Sequence, residues 1–501
     1  MQGFTYIDLI ILVVYLAAVL FAGLHFAKKE MKGKEYFKGD GTVPWWVTSV
    51  SIFATLLSPI SFLSLAGNSY AGTWIMWFAQ LGMLLAIPLT IKFFLPVYSK
   101  LDIDTAYHYL ELRFGSKGLR VLGAVMFIIY QIGRMSIIMY FPCMVLGSLT
   151  GISVNLLIII MGVIAIIYSY TGGLKSVLWT DFIQGSVLLI GVTFALVFLI
   201  AHIDGGMGAI FQAFSLEHKF LAVDQPIFNP NIFKDSVFIL IVGAGFNTMG
   251  SYVSSQDIVQ RFTTTTDTKK LNKMMLTNGA LSIFIATVFY LIGTGLFVFY
   301  KQNALPPAAA QDQIFASYIA FELPVGVTGL LLAAIYAAAQ STLSTGLNSV
   351  ASSWALDIQS NLSKEELGFE KETKIGQRVS LAVGIFSIVV AMVLANGGVK
   401  SAYEWFNGFM GLVLGILIGT FILGAFTKVA NTFGATAAFI AASAVMVYIK
   451  YFVPAGQVTI WSYSIISIAV SLVVGIPASI IWRSIKGDKS EPAPNTTIYK
   501  N

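Results

Sequence analysis

Apolar stretches of about 20 residues, each long enough to cross roughly 30 Å of hydrocarbon as an α-helix, recur from Ile7 to the neighbourhood of Trp482. About thirteen can be drawn, at 5–27, 47–69, 73–98, 118–148, 152–170, 178–203, 234–255, 273–300, 325–356, 378–396, 404–427, 431–452 and 459–483, with ends good to a few residues. A chain of 501 residues that is 57% hydrophobic and 11% charged, with a mean hydropathy of +0.80, has too little polar surface to cover a soluble fold. The expected class is an all-α integral membrane protein, because helices satisfy their own backbone hydrogen bonds in lipid.

The first stretch is kept as a span: its leading residues MQGFTYID carry no base, and no A-x-A-like cleavage site follows it. The single Cys143 excludes an intramolecular disulfide, and the four scattered His show no zinc-type spacing.

Basic residues set the expected orientation, since Lys and Arg are retained on the cytoplasmic side. KKEMKGKEYFK, the stretch from Lys100 to Arg120, RFTTTTDTKKLNK and KEELGFEKETKIGQR follow spans 1, 3, 7 and 9, and so share one side. The other side keeps about five bases, Lys219, Lys234 and Lys301 among them. The net charge of +6 therefore reads as sidedness, not as a nucleic-acid patch. Thirteen spans put the N-terminus outside and the tail 486–501 in the cytoplasm, where its polarity predicts disorder. The expected location is the plasma (inner) membrane, crossed many times. The longest outside loop, 204–233, is too short to form a catalytic domain.

Two spans look interrupted in the manner of transporters, whose sites lie where Gly, Pro or Ser frees backbone groups near the midplane. In span 2, SIFATLLSPISF sets Pro59 among Thr55, Ser58 and Ser61. In span 7, GAGFNTMGS sets Gly243, Gly245 and Gly250 around Asn247 and Thr248. The two lie five spans apart and cross in opposite directions, as an inverted repeat of five helices requires. Ordinary kinks packed against neighbours would give either pattern alone.

Polar residues inside the spans narrow the reading. Arg134, in MFIIYQIGRMSIIMYF, is the only arginine placed deep in an apolar stretch, at a cost of roughly 2.5–3.5 kcal/mol or more. Its guanidinium can hold a ligand carboxylate by two parallel hydrogen bonds, or pair with a carboxylate on another span. Asp181 falls near the start of span 6, where it either ligates or caps the helix. In AAAQSTLSTGLNS, Ala338, Ser341, Thr342 and Thr345 share one helical face, with Ser344 beside it. Such hydroxyls are hard ligands suited to sodium and are equally common packing residues between membrane helices. At about 1.5 Å per residue, Thr345 and Asp181 fall at one depth, and Ala54–Leu57 and Ala338–Thr342 a little above it. Two oxygen-rich sites thus stack below Arg134.

The segments TGGLKSVLWTDFIQG, SSQDIVQRF, AAAQSTLSTGLNSVASS and SIFATLLSPISF resemble the sodium:solute symporter family, and the likeness runs over essentially the whole chain. The resemblance implies a LeuT-type fold in one transporter domain over 1–485, with inverted repeats at about 47–203 and 234–427, one extra N-terminal span and two C-terminal spans. Through SxFATxLSxIxF, Gln80 and IGR the chain is most similar to bacterial sodium-coupled sialic acid symporters. That implies a first sodium site from the carbonyls of Ala54, Leu57 and Ala338 and the hydroxyls of Ser341 and Thr342. A second would use Asp181, Ser344 and Thr345. The sugar carboxylate would meet Arg134, Ser58 and Ser61, and a sugar hydroxyl would meet Gln80, with Phe246 and Asn247 in the pocket wall. Leu56 departs from the sialic acid pattern, which has threonine there, and leaves the preference among sialic acids open.

The expected function is sodium-driven uptake of sialic acid, N-acetylneuraminate, with sodium ions co-transported, by a monomer embedded in lipid and without nucleic acid. No Walker A pattern is present, so the ion gradient is the expected driving force. A sodium symporter for a monocarboxylate, amino acid or sugar, and a solute-gated channel, are the alternatives. An enzyme is not expected, because no acid, base or metal residues converge.

Overall fold

The computed structural model describes residues 5–27, 34–39, 41–101, 103–303, 311–363, 368–397, 402–454, 456–487 and 491–499. Residues 28–33 and 364–367 of the basic loops, and 488–490, 500 and 501 of the tail, lie outside the described residues. The described chain is helical, without strands. It runs as α1 (Tyr6–Ala27), α2 (Trp45–Leu56), α3 (Pro59–Ala71), α4 (Phe78–Leu89), α5 (Lys117–Thr150), α6 (Val154–Ala201) and α7 (Val237–Ser254). It continues as α8 (Gln256–Phe262), α9 (Thr268–Gln302), α10 (Val327–Ser353), α11 (Phe369–Asn396), α12 (Ala402–Phe426), α13 (Thr432–Phe452) and α14 (Tyr463–Lys486).

Among the described residues, eleven helical segments are long and apolar enough to cross a bilayer, and the pair α2 and α3, bent by 63°, makes a twelfth. The span expected at 152–170 is the first part of α6, where only Val154–Ile167 is apolar. It meets the next crossing at Gly173, whose φ of 58° and ψ of −170° form a corner that a side chain would strain. By length and composition the described residues therefore give eleven or twelve crossings where thirteen were expected, the stretch at Val154–Ile167 being shorter than the others. Large apolar side chains remain exposed on the outer helices, such as Ile385, Phe386 and Val389 of α11 and Ile480 and Ile481 of α14, as a lipid-facing surface requires.

The break expected in span 2 is present between Leu56 and Pro59. The break expected within Gly243–Gly250 of span 7 is not. α7 is continuous through GAGFNTMG and stops at Ser255, where φ is −95° and ψ 116°. The glycines serve packing instead: a β-carbon on Gly82 of α4 would lie 2.5 Å from the Gly245 nitrogen, so the two backbones touch directly.

Loops after spans 1, 3, 7 and 9 meet at one end of the bundle, the end at which α14 finishes. Lys38 pairs with Asp104 at 2.7 Å, Gln260 Nε2 donates to Phe37 O at 2.5 Å, and Arg120 Nε reaches Asp357 Oδ1 at 2.6 Å. The expectation of a disordered tail needs correction over 491–499. The last four carbonyls of α12 have no helical partner, and the tail supplies two of the donors they need. Ile498 N donates to Ala425 O at 3.0 Å and Tyr499 Oη to Phe426 O at 3.0 Å, while Arg113 Nε takes Gly424 O at 2.7 Å and Thr427 Oγ1 takes Leu423 O at 2.6 Å.

The apolar core falls into two large clusters, and α5 passes from one to the other at Arg134: Ile128 and Tyr130 belong to one, Met135 and Ile137 to the other.

Candidate functional site

The site starts from the break in α2. Pro59 has no amide, so the Thr55 carbonyl loses the donor that a continuous helix would give it. It accepts instead from Arg134 Nη2 at 2.6 Å and from Thr342 Oγ1 at 3.4 Å. Ser58 is extended, and the neighbouring Ala54 carbonyl accepts from Ser341 Oγ at 3.0 Å. Ser341 and Thr342 also reach Ala338 O, at 3.2 and 3.1 Å. Ala54, Thr55, Ala338, Ser341 and Thr342 are therefore gathered where α10 crosses the break; these and Leu57, which lies in the break itself, are all buried. Freed carbonyls and hydroxyls, with no carboxylate among them, form a set of hard oxygens of the kind a small monovalent cation takes.

One turn further along α10, Asp181 Oδ2 accepts from Ser51 Oγ at 2.7 Å, Arg261 Nη2 at 2.7 Å and Thr345 Oγ1 at 3.2 Å. Its Oδ1 faces Ser344 Oγ at 3.5 Å. Asp181, Ser344 and Thr345 thus come together. Asp181 stands about two turns beyond the Gly173 corner, which rules out a capping role. Arg261 was not foreseen. It is fully buried in α8, so Arg134 is not the only deep arginine. The signal was present in SSQDIVQRF, where Asp257 and Arg261 are spaced i, i+4 on one short helix.

Arg134 also has a counter-charge on another helix, the second of the two readings that its sequence position left open. Its Nη1 donates to Asp257 Oδ2, both side chains being buried, while its Nε has no hydrogen-bond partner. Two buried Asp–Arg pairs therefore flank the break. Removing one member of either would leave an uncompensated charge.

Above Arg134 a cleft runs between α3, α4, α7, α9 and α12 up to Trp461 at the start of α14. Ser61, Gln80, Arg134 and Asn247 line it. Ser58 and Phe246 do not. Ser58 caps α3, its Oγ accepting from Ser61 N at 3.3 Å, and Phe246 packs into the second apolar cluster. Thr248, Ser251 and Ser282 add hydroxyls to the wall, and Leu56 occupies the position noted as a departure.

The family model described as the sodium:solute symporter family matches residues 36–442. The sodium/sialic acid symporter SiaT of Proteus mirabilis (strain HI4320) is 33% identical over 99% of this chain and 100% of its own. The sodium/sialic acid symporter NanT of Aliivibrio fischeri (strain ATCC 700601 / ES114) is 31% identical over 97% of this chain and 96% of its own. A solved structure of a Na+-coupled sialic acid symporter, substrate-bound and outward-open, superposes with a TM-score of 0.87 at 32% identity, covering 95% of this chain and 98% of that one. Gathered oxygens at a broken helix, a LeuT-type arrangement and this full-length likeness lead to one conclusion: the chain belongs to the sodium:solute symporter family.

Proposed function

We propose that this protein is a secondary active symporter that couples inward flow of two sodium ions to uptake of N-acetylneuraminate by alternating access. The observation that carries the reading is the shared Thr55 carbonyl, which accepts from Arg134 on the cleft side and from Thr342 on the ion side. Any ion that reorients the Thr342 hydroxyl alters the hold on Arg134, and a ligand drawing on Arg134 alters the ion site. Coupling needs such a reciprocal link.

The first sodium ion sits among Ala54, Leu57, Ala338, Ser341 and Thr342. The second uses Asp181 Oδ1 with Ser344 and Thr345, the Oδ2 side being held by Arg261. In the cleft, the solute carboxylate takes Arg134 Nε and the Ser61 hydroxyl, which Ser58 orients. Gln80 and Asn247 meet sugar hydroxyls. A wall with this many amide and hydroxyl groups fits a polyhydroxylated solute better than a small monocarboxylate or a hydrophobic amino acid. The halves at about 47–203 and 234–427 act as inverted repeats, the basic loop end faces the cytoplasm, and the cleft is outward-facing because its lining climbs to Trp461 at the other end. The cleft is built within one chain, consistent with a monomer.

Two sodium ions entering with one carboxylate, down a roughly tenfold gradient and about 100 mV, supply about 5 kcal/mol, enough for accumulation on the order of a few thousandfold. The test is uptake of labelled N-acetylneuraminate into proteoliposomes. Accumulation is expected with an inward sodium gradient and inside-negative potential, and not with potassium in its place. Equal uptake in both would reject sodium coupling, and sodium-driven uptake of another solute alone would reject the assigned substrate.

A further inference from the structure

The motif TGGLKSVLWTDFIQG contains one more polar residue that the reading above leaves without a task. Gln184 is fully buried in α6, and neither its Oε1 nor its Nε2 has a hydrogen-bond partner. A buried primary amide with both ends unmet is uncommon and calls for an explanation.

Its position follows from the register of α6 against α10. The two helices run antiparallel. Asp181 faces Ser344, their side chains 3.5 Å apart, and a β-carbon on Gly191 would lie 3.4 Å from Ala334 Cβ. Between those two fixed points Gln184 stands opposite Ser341. The azimuth agrees. At 3.6 residues per turn, Gln184 lies about 60° round the helix from Asp181, in the same sense as Gly191 at about 80°, and opposite to Gly185 at about 40°. Gly185 is the residue that faces α2, where a β-carbon would meet Ala54 Cβ at 3.2 Å. Gln184 is thus directed at α10 one turn above Asp181, at the level where Ser341 donates to Ala54 O.

We infer that the Gln184 amide oxygen is a ligand of the sodium ion at the Ala54–Ser341 site, reaching it from α6. An amide oxygen is a neutral hard donor of the same class as the carbonyls of Ala54 and Ala338, so it adds coordination without adding charge. The site then draws on three helices, and α6 carries a group for each ion, Gln184 for the first and Asp181 for the second, one turn apart. This inference rests on the sodium sites proposed above.

The test measures sodium binding to the purified full chain by calorimetry, alongside the sodium dependence of uptake in proteoliposomes. Gln184→Met keeps the length and removes the amide. It is expected to raise the half-saturating sodium concentration at least about tenfold, with affinity for N-acetylneuraminate at saturating sodium unchanged. Gln184→Glu is expected to restore sodium affinity to the wild-type level or beyond. An unchanged sodium half-saturation in Gln184→Met overturns the assignment. Ser341→Ala, run in parallel, separates the two levels: if it too leaves sodium binding unchanged, the site itself is misplaced, whereas if it alone weakens binding, only Gln184 is. Should Gln184→Met not yield folded protein, Gln184→Glu decides. Sodium affinity at or above wild type that falls on acidification supports a ligand at this position, and affinity below wild type at every pH rejects it.

Discussion

Arg261 Nη2 donates to Asp181 Oδ2 at 2.7 Å, joining α8 to α6 through two side chains with no exposure to solvent. Breaking a buried pair by removing one partner costs about 3–5 kcal/mol, because the remaining charge is left in a poor solvent for it. Arg261→Gln is therefore expected to lower the thermal stability of the purified protein sharply in potassium-only buffer. Sodium at Asp181 would supply the missing positive charge, so the sodium-induced rise in melting temperature should exceed that of the wild type. A rise equal to or smaller than the wild-type rise would place no sodium near Asp181.

Arg134 and Asp257 permit a separation of structure from solute binding. Arg134→Gln strands the Asp257 carboxylate and should cost stability by a similar amount, about 3–5 kcal/mol, while abolishing N-acetylneuraminate binding. The double variant Arg134→Gln, Asp257→Asn removes both charges. Its stability should return close to wild type, yet binding should stay lost, since no cation then faces the solute carboxylate. Recovery of binding along with stability would make Arg134 purely structural.

These arrangements were legible in the sequence to different degrees. The crossings could be read because lipid demands a fixed length of apolar helix, and the break at Pro59 because a missing amide cannot be hidden. The break at Ser255 carries no such mark. No Pro or Gly adjoins it, and the glycines that drew attention instead allow α4 and α7 to touch. Ser341, Thr342 and Thr345 could be grouped because one helical face puts them together, with Ser344 beside it, and Asp181 because its depth matched that of Thr345. Arg261 and Asp257 were missed because their partners lie on other helices, at separations that periodicity does not encode. The tail's polarity read as disorder, while its contacts answer carbonyls at the end of α12, a need visible only once that helix end is seen.

Lys219 gives a pH dependence outside the spans. Its Nζ donates to Tyr70 O at 2.7 Å and Gly72 O at 3.0 Å, capping the C-terminal end of α3, and it lies 3.9 Å from the Phe297 ring centre. Burial pushes its ammonium down to about 8 from the ordinary 10.5, with Glu217 opposing and Lys301 adding. Between these values the unfolded chain binds more protons than the folded one, so this residue's contribution to stability rises with pH over that window and is flat below about 8. The difference in melting temperature between wild type and Lys219→Met should shift in favour of wild type as pH increases from 8 towards 10.5. A shift in the opposite direction would mean that the folded state holds the proton more tightly than the unfolded chain does.

The contact of α4 with α7 links packing to the cleft. A β-carbon on Gly82 would meet Gly245 N at 2.5 Å, Ile241 O at 2.8 Å and Ala244 C at 3.0 Å, all backbone atoms that cannot rotate away. Gly82→Ala must therefore push the two helices apart, at a cost of about 1–3 kcal/mol for an overpacked interface. α4 carries Gln80 and α7 carries Asn247, both on the cleft wall, so separating the helices widens the distance between them. The expected result is a loss of N-acetylneuraminate affinity of about tenfold, with sodium binding at Ser341, on the far side of the break, retained. Gly208→Ala provides the control: in the exposed helix Gly206–Leu216 a β-carbon there meets nothing within 4 Å, and alanine favours helix. It should leave both affinities unchanged and leave stability equal or slightly raised. If Gly82→Ala weakens sodium and solute binding equally, the α4–α7 contact supports the whole bundle and is not specific to the cleft.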